Sequence, residues 1–252
     1  MQDTLDGWIK CQRGWMYLEP IFSSDDIKEK MKTEKGKFDL VDRGWCFAME
    51  IYSKDSNIWE TIETDKLKSD FDASNNLLDE IQKSLSEYLE TKRRFFPRFY
   101  FLSDEELLEI LAQTKDPETV QRHINKCFEA ISQLQFTKQQ HVCAMISAEK
   151  EKVDFLKSVD VNEGEKKGNV ERWLSEIEAV MIATLKKITK DSLNDPTERV
   201  KWVRKWPAQT VLAVNMMRWT EGAEHAIESR TIKEFGGRLV AELKDIVVLV
   251  RQ

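Results

Sequence analysis

The stretch "KRRFFPRFYFLSDEELLEIL", residues 92–111, decides the fold. Its three leading cations suit the last turn of a helix, where the carbonyl end of the helix dipole attracts positive charge. Pro97 forbids continuation of that helix, because proline lacks the backbone N–H and clashes with the preceding turn. Ser103 and Glu106 then form a capping box immediately before an apolar run. The stretch therefore predicts a joint between two helices.

The aromatic residues of this joint have two interpretations. A basic run with interleaved aromatics is typical of a surface that stacks single-stranded nucleic acid. Packing between helices is favoured, because the chain has a net charge of −6 and no global attraction for nucleic acid. We predict an extended segment or short strand over residues 98–102. The sequence does not decide whether Phe99, Tyr100 and Phe101 all point inward.

Helical periodicity continues on the N-terminal side of the joint. Apolar residues three or four positions apart predict an amphipathic helix from Leu77 to Leu89 and another from Phe38 to Tyr52. Residues 1–35 are predicted to form a helix or broken helix, with Ser24 as an N-cap. The polar segment SDFDAS, residues 69–74, predicts a break and a hinge candidate.

The C-terminal side of the joint mixes helices with one predicted hairpin. Asp116–Pro117 is a helix start signal. The apolar residues predicted to face inward from that helix are Val120, Ile124, Cys127, Phe128 and Ile131. Two apolar runs about a charged turn predict a β-hairpin at about 141–156. Further helix starts are predicted at Asn169, Asp195–Pro196, Trp206–Pro207 and about Ile232.

The predicted fold class is mainly α: an elongated helical bundle or arch with one small β-hairpin. Low counts of Gly (9) and Pro (5) argue against an all-β sandwich. A subdomain break is predicted near 112–116 or 162–168. The apolar run IVVLV, residues 246–250, lies so close to the chain end that we expect the chain to be an excised fragment.

No motif in the sequence predicts catalysis or a bound cofactor. Phosphate-binding glycine loops are missing, so no nucleotide cofactor is expected. The carboxylate pairs Asp25–Asp26 and Asp104–Glu105 lie at predicted helix starts, where the helix dipole explains them without acid–base chemistry. No apolar stretch approaches the ~20 residues of a membrane span, and no membrane partner is expected. Four scattered cysteines make no disulfide framework, which favours a reducing intracellular compartment.

Two Cys–His pairs offer the sharpest alternative chemistry. His123 and Cys127 share a helical face, and His141 and Cys143 share a strand face, a set that suits zinc or a Cys–His nucleophile. Packing is favoured, because Cys127 lies in an apolar stripe, where free cysteine behaves as a small hydrophobe. The spacing also lacks the close cysteine pair typical of structural zinc sites. Whether these four residues bind metal is left open by the sequence.

Several blocks in order resemble the linker region of dynein heavy chains, in its central to C-terminal part. They are WMYLEPIFSSDDI (15–27), KFDLVDRGW (37–45), SLSEYLETKRRFFPRFYFLSDEELLEIL (84–111), WLSEIEAVM (173–181), PAQTVLAVNMMRWTEGAEHAI (207–227) and LKDIVVLVR (243–251). The block at 84–111 is the most diagnostic, and SSDDI resembles axonemal more than cytoplasmic heavy chains. One departure is the hairpin turn SAEKEKV (147–153), where Lys150 stands in place of the family's usual glycine.

The resemblance implies a non-catalytic mechanical element of a microtubule motor. All of residues 1–252 would belong to the linker domain, which transmits nucleotide-driven movement of the AAA+ ring of the same heavy chain to the tail. Microtubules and other dynein chains would be indirect partners. The protein would be located in the cytoplasm or cytoskeleton, in a ciliary or flagellar axoneme. The candidate docking or packing aromatics are Trp45, Phe99, Tyr100, Phe101 and Trp219. The alternatives are a freestanding helical adaptor and, third, a zinc or redox module.

Overall fold

The computed structural model describes residues 2–54, 65–112 and 117–250. The chain divides into two compact units. The first unit comprises Met1–Ser132, Lys138–Gln140 and Asp160–Ser175, and the second comprises Gln133–Thr137, His141–Val159 and Glu176–Gln252. The predicted fold class is confirmed: the protein is mostly helical, with one small antiparallel sheet. Within the described ranges no helix has both the length and the apolar character needed to cross a bilayer.

The secondary structure follows several of the predicted start and stop signals and departs from others. The helices are α1 Gln2–Ser23, α2 Asp25–Lys30, α3 Lys32–Lys54, α4 Asp65–Phe95, α5 Asp104–Ala112, α6 Ile124–Cys127, α7 Val170–Leu193, α8 Arg199–Lys205, α9 Ala208–Glu228 and α10 Ile232–Val250. The strands are β1 Gln133–Phe136, β2 His141–Ile146 and β3 Lys152–Asp160. Short 3₁₀ segments cover Pro97–Phe101, Pro117–Arg122 and Gly164–Lys166.

The first unit is built around α4, which packs against α1 and α3. The predicted stripe of α4 is buried through Leu78, Ile81, Leu85 and Leu89. Gly14 of α1 lies so close to Leu78 that a Cβ there would stand 3.0 Å from a Leu78 methyl carbon. Such burial of apolar area is the main favourable term in folding, at roughly 25 cal/mol per Å².

The predicted break at residues 69–74 is wrong, because α4 runs through it without interruption. Phe71, in the middle of this segment, is buried, and its ring lies 5.2 Å from that of Trp8 and 6.4 Å from that of Trp45. The polar residues around Phe71 lie on the solvent side of the same helix. One aromatic anchor therefore outweighs the local polar composition.

Of the other two predicted breaks, one lies largely outside the described residues and one contains a 3₁₀ turn. Residues 113–116 of the candidate at 112–116 lie outside the described residues. The candidate at 162–168 contains a 3₁₀ turn, and both Gly164 and Gly168 have positive φ, at 57° and 72°. Glycine adopts that conformation without a steric penalty. A subdomain break at either place stays a prediction.

The joint at 92–111 is confirmed as a stop and a restart, but its middle is not extended. Residues Pro97–Phe101 form a 3₁₀ turn instead of the predicted strand. The reason is local: proline presets a helical φ, and the amide of Leu102 donates to the carbonyl of Phe99 at 3.1 Å. The capping box is present in both directions, with 3.1 Å from the Ser103 amide to Glu106 and 3.3 Å from the Glu106 amide to the Ser103 hydroxyl.

Two further start signals hold only in part. The helix predicted from Pro117 is a 3₁₀ turn followed by the single turn α6, although all five residues predicted to face inward are buried. Ser24 occupies the N-cap position of α2, but its hydroxyl donates to the Ala112 carbonyl at 2.9 Å and makes no cap bond. For Ser24 the outcome is decided by a tertiary contact with Ala112, which periodicity does not contain.

The second unit contains the sheet, in the order β1-β2-β3. The predicted hairpin is confirmed as β2 and β3, while β1 was not predicted because its four residues are too short for a clear period-two pattern. β1 pairs antiparallel with β2, from Gln133 opposite Ile146 to Phe136 opposite Val142. The register shifts between Gln135 and Phe136.

Lys150 in the hairpin turn has a left-handed backbone with a φ of 68°. A residue with a Cβ is strained there, so Lys150→Gly is expected to raise the free energy of unfolding by about 0.5–1 kcal/mol. Urea denaturation measures this. Glu149→Gly is the control, since Glu149 has no positive φ and its replacement should cost a few tenths of a kcal/mol. An unchanged or lower stability of Lys150→Gly would contradict the strain.

The turn between α7 and α8 is organised by Asp195. Its carboxylate accepts from the Lys205 ammonium at 2.8 Å, the Thr197 amide at 3.0 Å and the Trp206 indole N–H at 2.8 Å. Because of this turn, the helix predicted to start at Asp195–Pro196 starts at Arg199 instead. The predicted restart after Trp206–Pro207 is confirmed, since α9 begins at Ala208.

Asp195 is expected to make the free energy of unfolding depend on pH in the acidic range. The hydrogen bond from Lys205, followed by those from Thr197, holds the pKa of Asp195 well below its usual range. A depressed carboxylate pKa adds stability above the unfolded value of about 3.9, and this is lost as pH falls towards the folded value. Asp195→Asn should therefore be less stable than the wild type at pH 7, with a gap that narrows below about pH 4. Thermal denaturation across pH checks this, and a pH-independent gap would contradict it.

Candidate docking surface

The aromatic residues of the joint divide into a buried pair and an exposed set. Phe96 and Phe99 are buried with their rings edge to face at 5.0 Å, an arrangement that favours aromatic packing. Phe95, Tyr100 and Phe101 are exposed, and Phe101 most of all, at 71%. Within the 3₁₀ turn, three residues per turn direct Phe99 to a different side from its neighbours Tyr100 and Phe101.

Partners hold two of the exposed rings in place. The Tyr100 hydroxyl donates to the Glu90 carboxylate at 2.7 Å, and this bond lowers the pKa of Glu90 and raises that of Tyr100. The Arg172 guanidinium lies over the Phe95 ring at 5.4 Å. A fixed aromatic surface loses little conformational freedom when a partner binds, which suits a docking contact.

The two tryptophans among the candidates differ in the same way. Trp45 is buried, with its ring 5.8 Å from that of Trp15 and 6.4 Å from that of Phe71, so it packs within the first unit. Trp219 of α9 is 47% exposed. Phe99 and Trp45 are therefore packing residues, and Tyr100, Phe101 and Trp219 are the candidates available to a partner.

The cations of the joint form ion pairs and hydrogen bonds with other groups of the protein. Lys92 pairs with Glu171, and both side chains are largely buried, at 13% and 6% exposed. Arg93 donates to the Leu102 carbonyl at 3.1 Å and to Asp104 at 2.7 Å. Arg98 donates to the Cys127 carbonyl at 3.0 Å. These bonds give the basic run a structural role at the joint.

The Lys92–Glu171 pair belongs to a polar cluster that the sequence did not predict. The Lys30 ammonium donates to the Gly168 carbonyl at 2.7 Å, and burial followed by the charge of Lys92 lowers the pKa of Lys30. These contacts attach the start of α7 to the ends of α2 and α4 within the first unit. Residues 79 positions apart form the pair, and no local pattern marks such a contact.

The Cys–His residues are placed in different environments. His123 is buried, with its Nε2 atom 3.1 Å from Glu109, and Cys127 is buried in apolar surroundings that raise its pKa to about 11. His141 and Cys143 lie on β2 of the second unit, where the Cys143 thiol donates to the Gln135 carbonyl at 3.4 Å. Across residues 2–54, 65–112 and 117–250, no group of three or more His, Cys, Asp or Glu is arranged to hold a metal ion.

A second exposed apolar surface, which we call the apolar stripes, lies on α9 and α10. Exposed large residues recur three or four positions apart on both helices, a spacing that places them along one side of each. They are Leu212, Met216, Trp219, Val240, Leu243, Val247 and Val250. A row of exposed apolar side chains along a helix is a candidate interaction site. The resemblance blocks at 207–227 and 243–251 contain most of these residues.

Comparison with known proteins gives a consistent result. The family description "Dynein heavy chain, N-terminal region 2" matches residues 1–192. The chain is 42% identical over 253 residues to human Dynein axonemal heavy chain 3, which covers 100% of this chain and 6% of that protein. It is 41% identical to mouse Dynein axonemal heavy chain 12 (100% and 8%) and 40% identical to human Dynein axonemal heavy chain 1 (99% and 6%). The chain thus spans less than a tenth of the length of these relatives.

Proposed function

The chain belongs to the dynein heavy chain family, and from this premise we propose that it is a non-catalytic mechanical element of the motor, the central to C-terminal part of the linker. The observation that carries the proposal is the match to axonemal heavy chains over the whole chain. The sequence has no phosphate-binding glycine loop. ATP turnover in this account belongs to the AAA+ ring elsewhere in the heavy chain.

Helix α7 is the element that we assign to force transmission. It is continuous over Val170–Leu193 and contributes residues 170–175 to the first unit and 176–193 to the second. Its first turn is attached within the first unit by Glu171 and Lys92. A helix is stiff along its axis because backbone hydrogen bonds link its successive turns. Displacement that enters through the Lys92–Glu171 contact is therefore passed along α7, and a weaker contact would transmit less of it.

The partner in this account is the ring of the same heavy chain, with microtubules and other dynein chains as indirect partners. The exposed candidates Tyr100, Phe101 and Trp219 and the apolar stripes are the surfaces available for docking. Tyrosine and tryptophan are common anchors of protein interfaces. The place of action is the axoneme of a cilium or flagellum, since the relatives are axonemal heavy chains.

The proposal is tested by measuring ATP turnover of the purified 252-residue chain. We expect no turnover above that of buffer. Turnover that persists through purification and is abolished by a point substitution in this chain would contradict a non-catalytic element.

A freestanding helical adaptor is the second candidate, favoured by the apolar stripes, which would suit any protein partner. The gene that encodes the chain discriminates between the two. A phosphate-loop module within about a hundred residues downstream of Gln252 supports the motor element. A reading frame that stops at Gln252 supports the adaptor.

A further inference from the structure

A cavity of about 530 Å³ opens between α9 and α10 of the second unit. We propose that it binds a small organic anion, a carboxylate or phosphate carried on a planar apolar group. This volume is within the range of small-molecule sites. Three arginines and two glutamates are among its lining residues, although the chain as a whole has a net charge of −6. The inference goes beyond the proposed mechanical role, with which it shares only Trp219.

One of the lining arginines, Arg199, carries a buried hydrogen-bond donor that is unused. The Arg199 guanidinium donates through Nη1 to Asn215 at 3.0 Å and lies 3.2 Å from the Glu242 carboxylate. Its Nε atom is buried and has no hydrogen-bond partner. An acceptor that reaches this donor would remove the penalty of leaving it buried and unpaired. The Arg199–Glu242 pair is close to neutral as a unit, so Arg199 offers the anion a hydrogen-bond donor and the net positive charge comes from the other arginines.

A second cation, Arg238, lies at the cavity, where the missing side chain of Gly222 in α9 leaves space for it. Arg238 of α10 stacks on the Phe235 ring at 4.9 Å. A Cβ on Gly222 would stand 2.6 Å from Arg238 Nη2 and 2.8 Å from a Phe235 ring carbon, so glycine is what admits this pair. Arg238 has no carboxylate partner within residues 117–250 or the other described ranges. Its guanidinium can therefore form a bidentate pair of hydrogen bonds with an anion.

The remaining lining explains the apolar part of the ligand. Trp219 and Phe235 present aromatic rings, and Leu239 adds an aliphatic side chain. The third arginine, Arg218, donates to the carbonyls of Ser192 and Leu193 at 3.1 and 3.0 Å and contributes charge without a free contact. Glu221 is exposed at the edge, where solvent weakens its repulsion.

The test is a titration of the 252-residue chain with phenyl phosphate and, separately, benzoate, followed by NMR of the Trp219 indole N–H. Trp219→Phe assigns that signal. Both probes should shift it in a saturable way, and Arg238→Gln should weaken binding at least tenfold. Inorganic phosphate should compete with lower affinity, because it lacks the apolar group.

Lys233→Gln is the matched control, since it removes one exposed cation from the same helix outside the cavity. It should leave the affinity for phenyl phosphate unchanged. No saturable shift with either probe would overturn the proposal. So would equal weakening by Lys233→Gln and Arg238→Gln, because that result indicates diffuse attraction to the surface of α10.

Discussion

Lys92→Met is expected to lower the free energy of unfolding by about 3 kcal/mol, because it leaves the Glu171 carboxylate buried without its cation. The loss falls at the lower end of the usual range for a broken buried pair, since the Lys92 side chain is still 13% exposed. Urea denaturation followed by circular dichroism measures the change. The double variant Lys92→Met/Glu171→Met should recover part of it, because two apolar side chains need no counter-charge, although Lys30 then loses its attraction to Glu171.

The control is an exposed pair of the same type. Lys54 lies 2.8 Å from Glu50, with side chains 72% and 69% exposed. Lys54→Met should change stability by less than about 0.5 kcal/mol, because water and salt screen the attraction. Equal losses for Lys92→Met and Lys54→Met would contradict the role assigned to the buried pair.

Phe99→Ala is expected to lower the free energy of unfolding by about 3–5 kcal/mol. The Phe99 side chain is fully buried against Phe96, so its removal leaves a cavity. Phe101→Ala, two positions later, should change stability by no more than about 0.5 kcal/mol, since the ring is exposed. Paired urea midpoints measure the contrast.

A large loss at Phe101 would show that its ring is packed, and a small loss at Phe99 would show that the joint is not a packed core. The same pair of variants separates stability from docking. If Phe101 binds a partner, Phe101→Ala weakens that association while the chain keeps its full stability.

Local chemistry was enough to predict several boundaries between elements. Proline at 97 and 207, the capping box at Ser103 and the start at Asn169 depend on neighbours a few residues away, which the sequence displays directly. The mainly α class followed from apolar residues repeating every three or four positions. These are the features that a single chain reveals without tertiary information.

Tertiary contacts account for what the sequence did not reveal. Phe71 keeps α4 helical through a segment whose composition predicts a break, because Trp8 and Trp45 close over it. β1 exists through its pairing with β2 and carries no strong pattern of its own. The sequence identified Phe99 and Phe101 as candidates but did not separate them, since burial depends on the turn type between them.

The site was the least predictable part. The Lys92–Glu171 pair and the cavity around Arg199 and Arg238 each unite residues far apart in the sequence. No spacing rule marks such contacts. The Cys–His pattern, in contrast, has the right residue types, yet the structure directs His123 towards Glu109.

The most direct test of the mechanical account compares microtubule gliding with ATP turnover in a dynein heavy chain whose corresponding segment has this sequence. With Lys92→Met, the account predicts that gliding velocity falls several-fold while ATP turnover is unchanged, because α7 loses its attachment in the first unit. The double variant Lys92→Met/Glu171→Met should restore part of the velocity together with part of the stability. Unchanged velocity with Lys92→Met, or a loss of velocity matched by an equal loss of turnover, would contradict the account.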